Sequence, residues 1–212
     1  MTELTFYTNP MSRGRIVRWM LEEVGEPYET IVLDYATTMK GADYLALNPM
    51  GKVPAVRHRD VMVTEAAAIC AYLADTFPDA ALAPPPGHRK RGPYYRWMFF
   101  AAGPVEAAVT DKALRVTFPP EKSAFVGYGS FDAAIDALDL AIKPGPYICG
   151  EQFTAADVYV GSQIGWGMMF GTIPKRPSFE DYFGRLSERP AAIRAREIDD
   201  ALVAEQKQGN PE

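Results

Sequence analysis

The stretch LTFYTNPMSRGRIVRWMLEEVGEPYETIVL, residues 4–33, decides the fold of the N-terminal part of the chain. Residues 4–8 are rich in β-prone side chains and end at the turn pair Asn9-Pro10. A second β-prone segment lies at residues 28–33, and a helical pattern separates the two. Strand, helix and strand in this order predict a βαβ unit with a parallel pair of strands.

The helix of this unit is marked at both ends. Apolar side chains recur at helical spacing between Ile16 and Val24. Ser12 has the hydroxyl of a good N-cap, and Gly25 suits the left-handed position that ends many helices. We therefore expect a helix with Ser12 as its N-cap and Gly25 at its end.

Working outward, residues 40–77 add a short helix, a hairpin and a longer helix. The predicted elements are a helix at 40–47, strands at 53–57 and 61–63 joined at Arg59-Asp60, and a helix from Glu65 to Phe77. The order β-α-β-α-β-β-α predicts an α/β domain over residues 1–79.

A proline-rich segment at residues 78–93, which contains Pro84-Pro85-Pro86, marks the domain boundary. Beyond it the strand patterns fade and helical patterns take over. The helical windows are 88–115, 121–142, 154–170, 178–188 and 190–205. They predict an all-α domain over residues 90–212.

Composition and charge restrict the function classes. The 212 residues are 48% hydrophobic and 23% charged, which is typical of a globular protein. The net charge of −5, with scattered basic residues, argues against a nucleic-acid partner. No window is apolar enough to span a membrane, and the N-terminus lacks the pattern of a signal peptide. We expect a cytoplasmic protein that does not contact a membrane.

The few cysteines and histidines argue against a metal site and a disulfide framework. Cys70 and Cys149 are far apart in the sequence and form no C-x-x-C motif, and the two histidines are His58 and His88. We therefore expect no metal ion.

Four motifs, in this order and at these spacings, resemble those of the soluble glutathione transferase family over essentially the whole chain. They are YTNPMSRGR at 7–15, NPMGKVP at 48–54, TEA at 64–66 and FTAAD at 153–157. The resemblance implies a thioredoxin-like N-terminal domain that binds glutathione, an all-helical C-terminal domain that holds a hydrophobic electrophile, and a homodimer.

Ser12 is the candidate catalytic residue. A hydroxyl at a helix N-terminus points where main-chain N–H groups and the positive end of the helix dipole favour an anion. Resemblance to the serine-type, bacterial-like members of the family implies that Ser12 stabilises the glutathione thiolate. Capping of the helix is the alternative role of Ser12, and Tyr7 or Asn9 are the alternative thiolate donors. Tyr7 also fits a position in the core.

The resemblance implies that one main-chain segment and two lysines bind glutathione. Pro54 is expected to follow a cis peptide bond, with the N–H and C=O of Val53 pairing with the cysteinyl unit of glutathione. Lys40 and Lys52 are placed to neutralise its glycyl carboxylate, although each also fits a solvated surface position.

Glu65 and Ala66 complete the predicted glutathione site. An acidic residue at a helix start is favourable without any ligand, but the resemblance implies that Glu65 binds the γ-glutamyl ammonium group. The family usually has a serine after this glutamate, and here the residue is Ala66. The main-chain N–H of Ala66 remains for the γ-glutamyl carboxylate, so we expect weakened glutathione binding.

Asp157 is interpreted as structural. Thr154 is a candidate N-cap, Asp157 falls at the third helical position, and Phe153 and Val158 occupy the positions of a hydrophobic staple. This combination predicts a capped helix start rather than a chemical role.

Two aromatic and Met-rich stretches fit either the core or an apolar substrate pocket. They are Tyr94, Tyr95, Trp97, Phe99 and Phe100 on one helix, and Trp166, Met168, Met169 and Phe170 on another. The resemblance implies that such residues line the electrophile site.

The predicted function is therefore addition of the glutathione thiolate, with glutathione as co-substrate, to hydrophobic electrophiles in detoxification. Two alternatives remain at this point. One is a glutathione-dependent peroxidase or disulfide reductase, and the other is a non-catalytic binding module, which Ala66 favours.

Overall fold

A computed structural model of the chain describes residues 3–209. Within them the backbone forms a four-stranded sheet and nine α-helices. The strands are β1 (Leu4–Thr8), β2 (Tyr28–Val32), β3 (Ala55–His58) and β4 (Val61–Thr64). The helices are α1 (Gly14–Val24), α2 (Ala42–Leu47), α3 (Ala66–Thr76), α4 (Arg91–Phe100), α5 (Glu106–Ala113), α6 (Phe131–Ile142), α7 (Ala155–Phe170), α8 (Pro177–Ser187) and α9 (Pro190–Gly209). None of the described helices is long and apolar enough to cross a membrane.

The chain divides into two compact units. The first comprises Met1–Leu82 and Glu188–Glu212, and the second comprises Ala83–Ser187. The first unit holds the sheet with α1, α2, α3 and α9, and the second holds α4 to α8. The predicted fold class, an α/β thioredoxin-like region followed by a helical region, is confirmed.

The predicted division into 1–79 and 90–212 differs from these units in the place of the last helix. α9 packs against α1 within the first unit. The guanidinium of Arg18 on α1 lies 3.2 Å from a carboxylate oxygen of Asp199 on α9, and both side chains are buried. Arg18 also donates to Tyr28 and Thr30 on β2, at 3.0 and 2.8 Å. A buried charge needs such partners, and a pairing across 181 positions leaves no periodic pattern in the sequence.

The sheet has the order β2-β1-β3-β4. β1 runs parallel to β2 and antiparallel to β3, and β3 and β4 form a hairpin. The predicted βαβ unit and hairpin are therefore confirmed. The register sets Thr8 beside Val32, and it sets Ala55 beside both Tyr7 and Thr64. The last residues of β1, β2 and β4 and the first residue of β3 thus share one end of the sheet, which we call the loop end.

Helix α1 is amphipathic, and its apolar face is buried. Ile16, Val17, Met20 and Leu21 are essentially inaccessible to solvent. At the C-terminus, Gly25 has a φ of 79° and its N–H donates to the carbonyl of Leu21 at 3.0 Å. The predicted end of the helix is confirmed, since glycine adopts this left-handed conformation without a steric penalty.

The predicted helix at 88–115 is interrupted. α4 and α5 are joined by a π-helical turn, Ala101–Val105, which contains Pro104. Proline has no N–H to donate to the preceding turn, and a wider turn accommodates it without ending the helical path.

The predicted helix at 121–142 begins later than expected. Pro120–Phe125 forms a 3₁₀ turn, and α6 starts only at Phe131. The side chain of Ser130 caps α6 by accepting the N–H of Ala133 at 3.1 Å. Gly129, with a φ of 73°, separates the two elements.

The start of α7 confirms the structural interpretation of Asp157. Thr154 is the N-cap residue, and Asp157 is completely buried. Its carboxylate accepts the N–H groups of Ile148 and Thr154 at 2.7 and 2.9 Å, the Thr154 hydroxyl at 3.0 Å and the Tyr182 hydroxyl at 2.8 Å. Burial raises the pKa of Asp157, while these hydrogen bonds act in the opposite direction.

Candidate functional site

Segments from all over the first unit meet at the loop end of the sheet. Residues 9–13 follow β1, residues 33–41 follow β2, residues 48–54 precede β3, and Glu65 follows β4. The sheet topology thereby brings the predicted site residues to one end of one unit. They are Ser12, Lys40, Lys52, Val53, Pro54, Glu65 and Ala66.

Asn9 organises the loop between β1 and α1. Its side-chain oxygen accepts the N–H of Met11 at 2.9 Å, and its side-chain nitrogen donates to the carbonyl of Leu33 at 2.8 Å. Its main-chain carbonyl accepts the N–H of Ser12 at 3.0 Å. This is the local turn that asparagine favours, and it connects the loop to the segment after β2.

Ser12 is half-buried, and its hydroxyl is fixed by two main-chain groups. The Oγ atom donates to the carbonyl of Asn9 at 2.7 Å and accepts the N–H of Gly14 at 2.9 Å. The N-cap residue of α1 is Arg13, so the predicted N-cap at Ser12 is wrong by one residue. The cause is the Asn9 turn, which holds residues 9–12 outside the helix, while the Ser12 hydroxyl still binds a main-chain N–H at the helix start.

Gly14 makes the close approach of β1 and α1 possible. A Cβ atom at this position would lie 2.0 Å from Thr8 Oγ1 and 3.0 Å from Ser12 Oγ. Any side chain at this position would therefore displace the Ser12 hydroxyl or the end of β1.

The alternative thiolate donors are both engaged in structure. Tyr7 is buried in an apolar cluster with Leu33, Met39, Tyr44 and Ala55, and its ring centroid is 5.6 Å from that of Tyr44. Tyr7 is thus a core residue. Asn9 is buried and uses both atoms of its amide within the fold. Of the three candidates, Ser12 has the most exposed side chain.

The segment before β3 presents a main-chain donor and acceptor. The Val53–Pro54 peptide bond is cis, as predicted. Neither the N–H nor the C=O of Val53 has a hydrogen-bond partner within residues 3–209. The N–H of Val53 belongs to the Lys52–Val53 peptide group, and the carbonyl of Lys52 fixes the orientation of that group. This carbonyl accepts hydrogen bonds from the Tyr44 hydroxyl at 2.7 Å and from the Asn48 side-chain amide at 2.8 Å.

The two candidate lysines differ in their surroundings. The ammonium group of Lys40 donates to the carbonyl of Gly51 at 2.7 Å, which places its charge beside the segment that leads to Val53. The side chain of Lys52 is exposed and has no hydrogen-bond or ion-pair partner in the described part of the chain. The positive charges of Lys40 and Lys52 therefore both lie near the main chain of residues 50–53.

Helix α3 starts with an unusual backbone conformation. Glu65, its N-cap residue, is exposed and has a φ of 67° and a ψ of 117°. Such a conformation is rare for a residue with a side chain and often marks a functional position. The N–H groups of Ala66, Ala67 and Ala68 have no partner among the described residues. A helix start with open N–H groups favours a carboxylate.

Sequence reasoning missed Tyr35. Its side chain is 51% exposed, and its hydroxyl donates to the carbonyl of Met11 at 3.2 Å. The topology contained a signal for it, since β2 runs parallel to β1 and its following loop must emerge at the same end of the sheet.

Neither cysteine provides a reactive thiolate. Burial raises the pKa of Cys70 well above its usual range and the pKa of Cys149 to about 11. Within residues 3–209, no group of His, Cys, Asp or Glu residues is arranged to hold a metal ion.

The aromatic residues of the second unit divide between core and surface. Tyr94 and Trp97 are buried, whereas Tyr95 and Phe99 on the same helix are exposed. At the end of α7, Met169 and Phe170 are exposed, and Trp166 and Met168 are half-buried. The buried residues fit the interpretation as core, and the exposed residues fit the interpretation as the lining of a pocket.

Both units contain a segment that matches a domain model of one known protein family. Residues 11–76 match the family model for the glutathione S-transferase N-terminal domain, and residues 107–166 match the model for the C-terminal domain. The chain is 30% identical to the glutathione S-transferase GstA of Escherichia coli O157:H7, over 87% of this chain and 90% of that protein. It is 28% identical to the glutathione S-transferase GST-4.5 of Xanthomonas campestris, over 79% and 84% of the two chains.

Solved structures show the same likeness. A glutathione transferase from Methylococcus capsulatus superposes with a TM-score of 0.77 at 28% identity, covering 93% of this chain and 99% of that one. A glutathione transferase homologue from Sulfitobacter, solved with bound glutathione, gives a TM-score of 0.74 at 26% identity, covering 93% and 98%.

Proposed function

Because the chain belongs to the glutathione S-transferase family, we propose that it adds the glutathione thiolate to hydrophobic electrophiles and that Ser12 stabilises the thiolate. One observation carries this proposal. The Ser12 hydroxyl, at the start of α1, is half-exposed and accepts a helix N–H while it donates to a carbonyl.

The energetics of this role are favourable. A free cysteine thiol has a pKa of about 8.5, and lowering it by about two units requires close to 2.7 kcal/mol. Hydrogen bonds to a charged group contribute about 1.5–3 kcal/mol each, so one or two of them suffice. The N–H of Gly14 also polarises the Ser12 hydroxyl toward donation.

The hydroxyl must exchange one acceptor for another when glutathione binds. In the structure it donates to the neutral carbonyl of Asn9. An anionic sulfur is a stronger acceptor than a carbonyl, and the Asn9 carbonyl keeps the N–H of Ser12 as a donor at 3.0 Å. The exchange therefore leaves no main-chain group without a partner.

The rest of the loop end supports glutathione binding. The open N–H and C=O of Val53 fit a strand-like pairing with the cysteinyl unit of glutathione. Lys40 and Lys52 provide positive charge for the glycyl carboxylate. Glu65 is assigned to the γ-glutamyl ammonium group, and the N–H groups at Ala66 to the γ-glutamyl carboxylate.

Four further properties follow from the family as proposals. We expect a homodimer in the cytoplasm, with a role in detoxification and a serine-type mechanism. Sedimentation equilibrium tests the oligomeric state, and a concentration-independent mass of one 23.4 kDa chain would contradict the dimer.

The test of Ser12 is a comparison of Ser12→Ala with Ser130→Ala. Ser130 is also a hydroxyl residue at a helix start, and it caps α6 in the second unit. We expect Ser12→Ala to lower kcat with glutathione and a chromogenic aryl halide at least about tenfold and to raise the pKa of the bound thiol, measured by ultraviolet absorbance. Glutathione affinity should change little. Ser130→Ala should lower only stability.

The same assays separate the alternatives. An unchanged thiol pKa in Ser12→Ala would refute the role of Ser12. A wild-type protein that binds glutathione but turns over neither electrophiles nor peroxides would be a binding module, which Ala66 favours. Turnover of peroxides alone would identify a peroxidase.

A further inference from the structure

The peptide group between Met11 and Ser12 is held at both of its polar atoms. Its N–H donates to the carbonyl of Asn9 at 3.0 Å. Its carbonyl accepts the hydroxyl of Tyr35, at 3.2 Å, from a loop 24 positions away. A peptide group is planar and includes the Cα atom of the following residue, so fixing both polar atoms also fixes the position of the Ser12 Cα atom, from which the side chain extends.

From this arrangement we propose that Tyr35 is a positioning residue for Ser12. The phenol orients the Met11–Ser12 peptide group and thereby holds the Ser12 hydroxyl where a bound sulfur needs it. This inference depends on the proposed role of Ser12 as the thiolate donor.

Two other hydrogen bonds connect the same two segments. The N–H of Leu33 donates to the carbonyl of Thr8 at 2.8 Å, and the amide of Asn9 donates to the carbonyl of Leu33 at 2.8 Å. With the bond from Tyr35 to Met11, three contacts run in sequence along residues 8–11 and 33–35. The two segments are therefore held together by three hydrogen bonds, of which that of Tyr35 is the one next to Ser12.

Tyr35 is itself presented by a well-ordered turn. A carboxylate oxygen of Asp34 accepts the N–H groups of Ala36 and Thr37 at 2.9 and 3.0 Å and the Thr37 hydroxyl at 3.0 Å. The N–H of Asp34 donates to the hydroxyl of Thr38 at 2.8 Å. These bonds fix the backbone on both sides of the tyrosine.

Packing does not account for Tyr35. Tyr35 is 51% exposed and Met11 is 68% exposed, so neither residue belongs to the buried core. What the phenol provides is a hydrogen-bond donor in front of the loop that carries Ser12. Catalytic groups lose efficiency steeply with small displacements, which is why an exposed hydrogen bond at this point affects the reaction more than the stability.

Removal of the hydroxyl alone is the first test. Tyr35→Phe keeps the ring and removes the donor. We expect kcat to fall about threefold to tenfold, with the pKa of the bound thiol raised, because one hydrogen bond that orients Ser12 is lost. The glutathione dissociation constant and the melting temperature should stay close to wild type.

Tyr128→Phe is the matched control. Tyr128 lies in the second unit and is half-buried, and its hydroxyl donates to Asp111 at 2.8 Å. This variant loses a comparable hydrogen bond, and we expect its kcat and bound-thiol pKa to equal those of the wild type.

The double variant Ser12→Ala/Tyr35→Phe decides whether Tyr35 acts through Ser12. If it does, the second substitution changes neither kcat nor the thiol pKa once Ser12 is absent. An equal loss from Tyr35→Phe in both backgrounds, or no loss in the wild-type background, would overturn the inference. An unchanged thiol pKa in Ser12→Ala alone would instead remove the proposed function, so the two failures are distinguishable.

Discussion

Helices α1 and α7 both begin beside a hydroxyl side chain, yet the polar atoms at the two starts are used differently. At α7, the Asp157 carboxylate is fully buried and accepts four hydrogen bonds from within the second unit. At α1, the hydroxyl of Ser12 lies half-exposed and donates to a main-chain carbonyl. The hydrogen bonds at the start of α7 are complete without a ligand. At the start of α1, the Ser12 hydroxyl is a donor that can turn from the main-chain carbonyl to a bound ligand.

This comparison separates structural caps from functional ones. A cap that is fully buried contributes to the free energy of unfolding and offers nothing to solvent. A half-exposed hydroxyl at a helix start contributes less to stability but faces a region that favours anions. The two starts should therefore respond oppositely to substitution.

The largest effect on stability is expected for Asp157→Ala. Removal of the carboxylate leaves the donors of Ile148, Thr154 and Tyr182 without their acceptor, so the free energy of unfolding should fall by about 2–4 kcal/mol. Activity per folded molecule should stay within about twofold of wild type. Urea unfolding and kcat measure the two quantities. Asp132→Ala, an exposed acidic residue in the first turn of α6, is the control. A large loss of activity at unchanged stability would contradict the comparison.

Gly14→Ala should affect both stability and activity. The added methyl group would lie 2.0 Å from Thr8 Oγ1 and 3.0 Å from Ser12 Oγ, so we expect a loss of about 1–3 kcal/mol in the free energy of unfolding and a lower kcat. Gly184→Ala on α8 is the matched control, because nothing lies within 4 Å of its added methyl group. A Gly14→Ala enzyme with wild-type kcat would show that the position of Ser12 is not critical.

Ala66→Ser should have a smaller effect, on affinity. A hydroxyl at the start of α3 adds a donor for the γ-glutamyl carboxylate, and we expect the glutathione dissociation constant to fall about threefold to tenfold. Calorimetric titration measures it, with Ala68→Ser on the exposed side of the same turn as control. Equal affinities for Ala66→Ser and wild type would remove the assignment of Glu65 as well.

The smallest effect is expected from protonation of Asp34, which holds the turn that contains Tyr35. Hydrogen bonds from the N–H of Ala36, and then from Thr37, lower the pKa of Asp34. The ionised form is thus favoured in the folded state, so the turn is supported above the unfolded pKa of about 3.9 and loses this support as the pH falls through the lower folded value. We expect the amide signals of residues 36 and 37 to titrate below pH 3.9, and not at all in Asp34→Asn. A midpoint above 3.9 would contradict this.

Local patterns in the sequence were sufficient for most of the first unit. The helix end at Gly25 and the hairpin turn at Arg59 depend on neighbouring residues, and both are present. The cis bond before Pro54 is present as well, but it was implied by the family resemblance rather than by the local pattern. The π turn around Pro104 was not foreseen, because helical periodicity hardly changes across one wider turn.

The candidate site could be predicted as a location but not as a geometry. The family motifs implied Ser12, Val53 and Glu65 as site residues, and the observed strand order brings them to one end of the sheet. The N-cap at Arg13 depends on the turn at Asn9, and the contact of Tyr35 depends on a second loop. Such contacts join residues distant in sequence, and only the folded chain reveals them.

The ion pair between Arg18 and Asp199 also constrains the order of events during synthesis. Arg18 belongs to the first helix made on the ribosome, and its carboxylate partner belongs to the last. Until α9 has been translated, burial of the guanidinium lacks its counter-charge and is unfavourable. The α/β unit, although most of it is made first, therefore completes its packing only after the helical unit has been made, and the nascent chain must keep α1 accessible in the meantime.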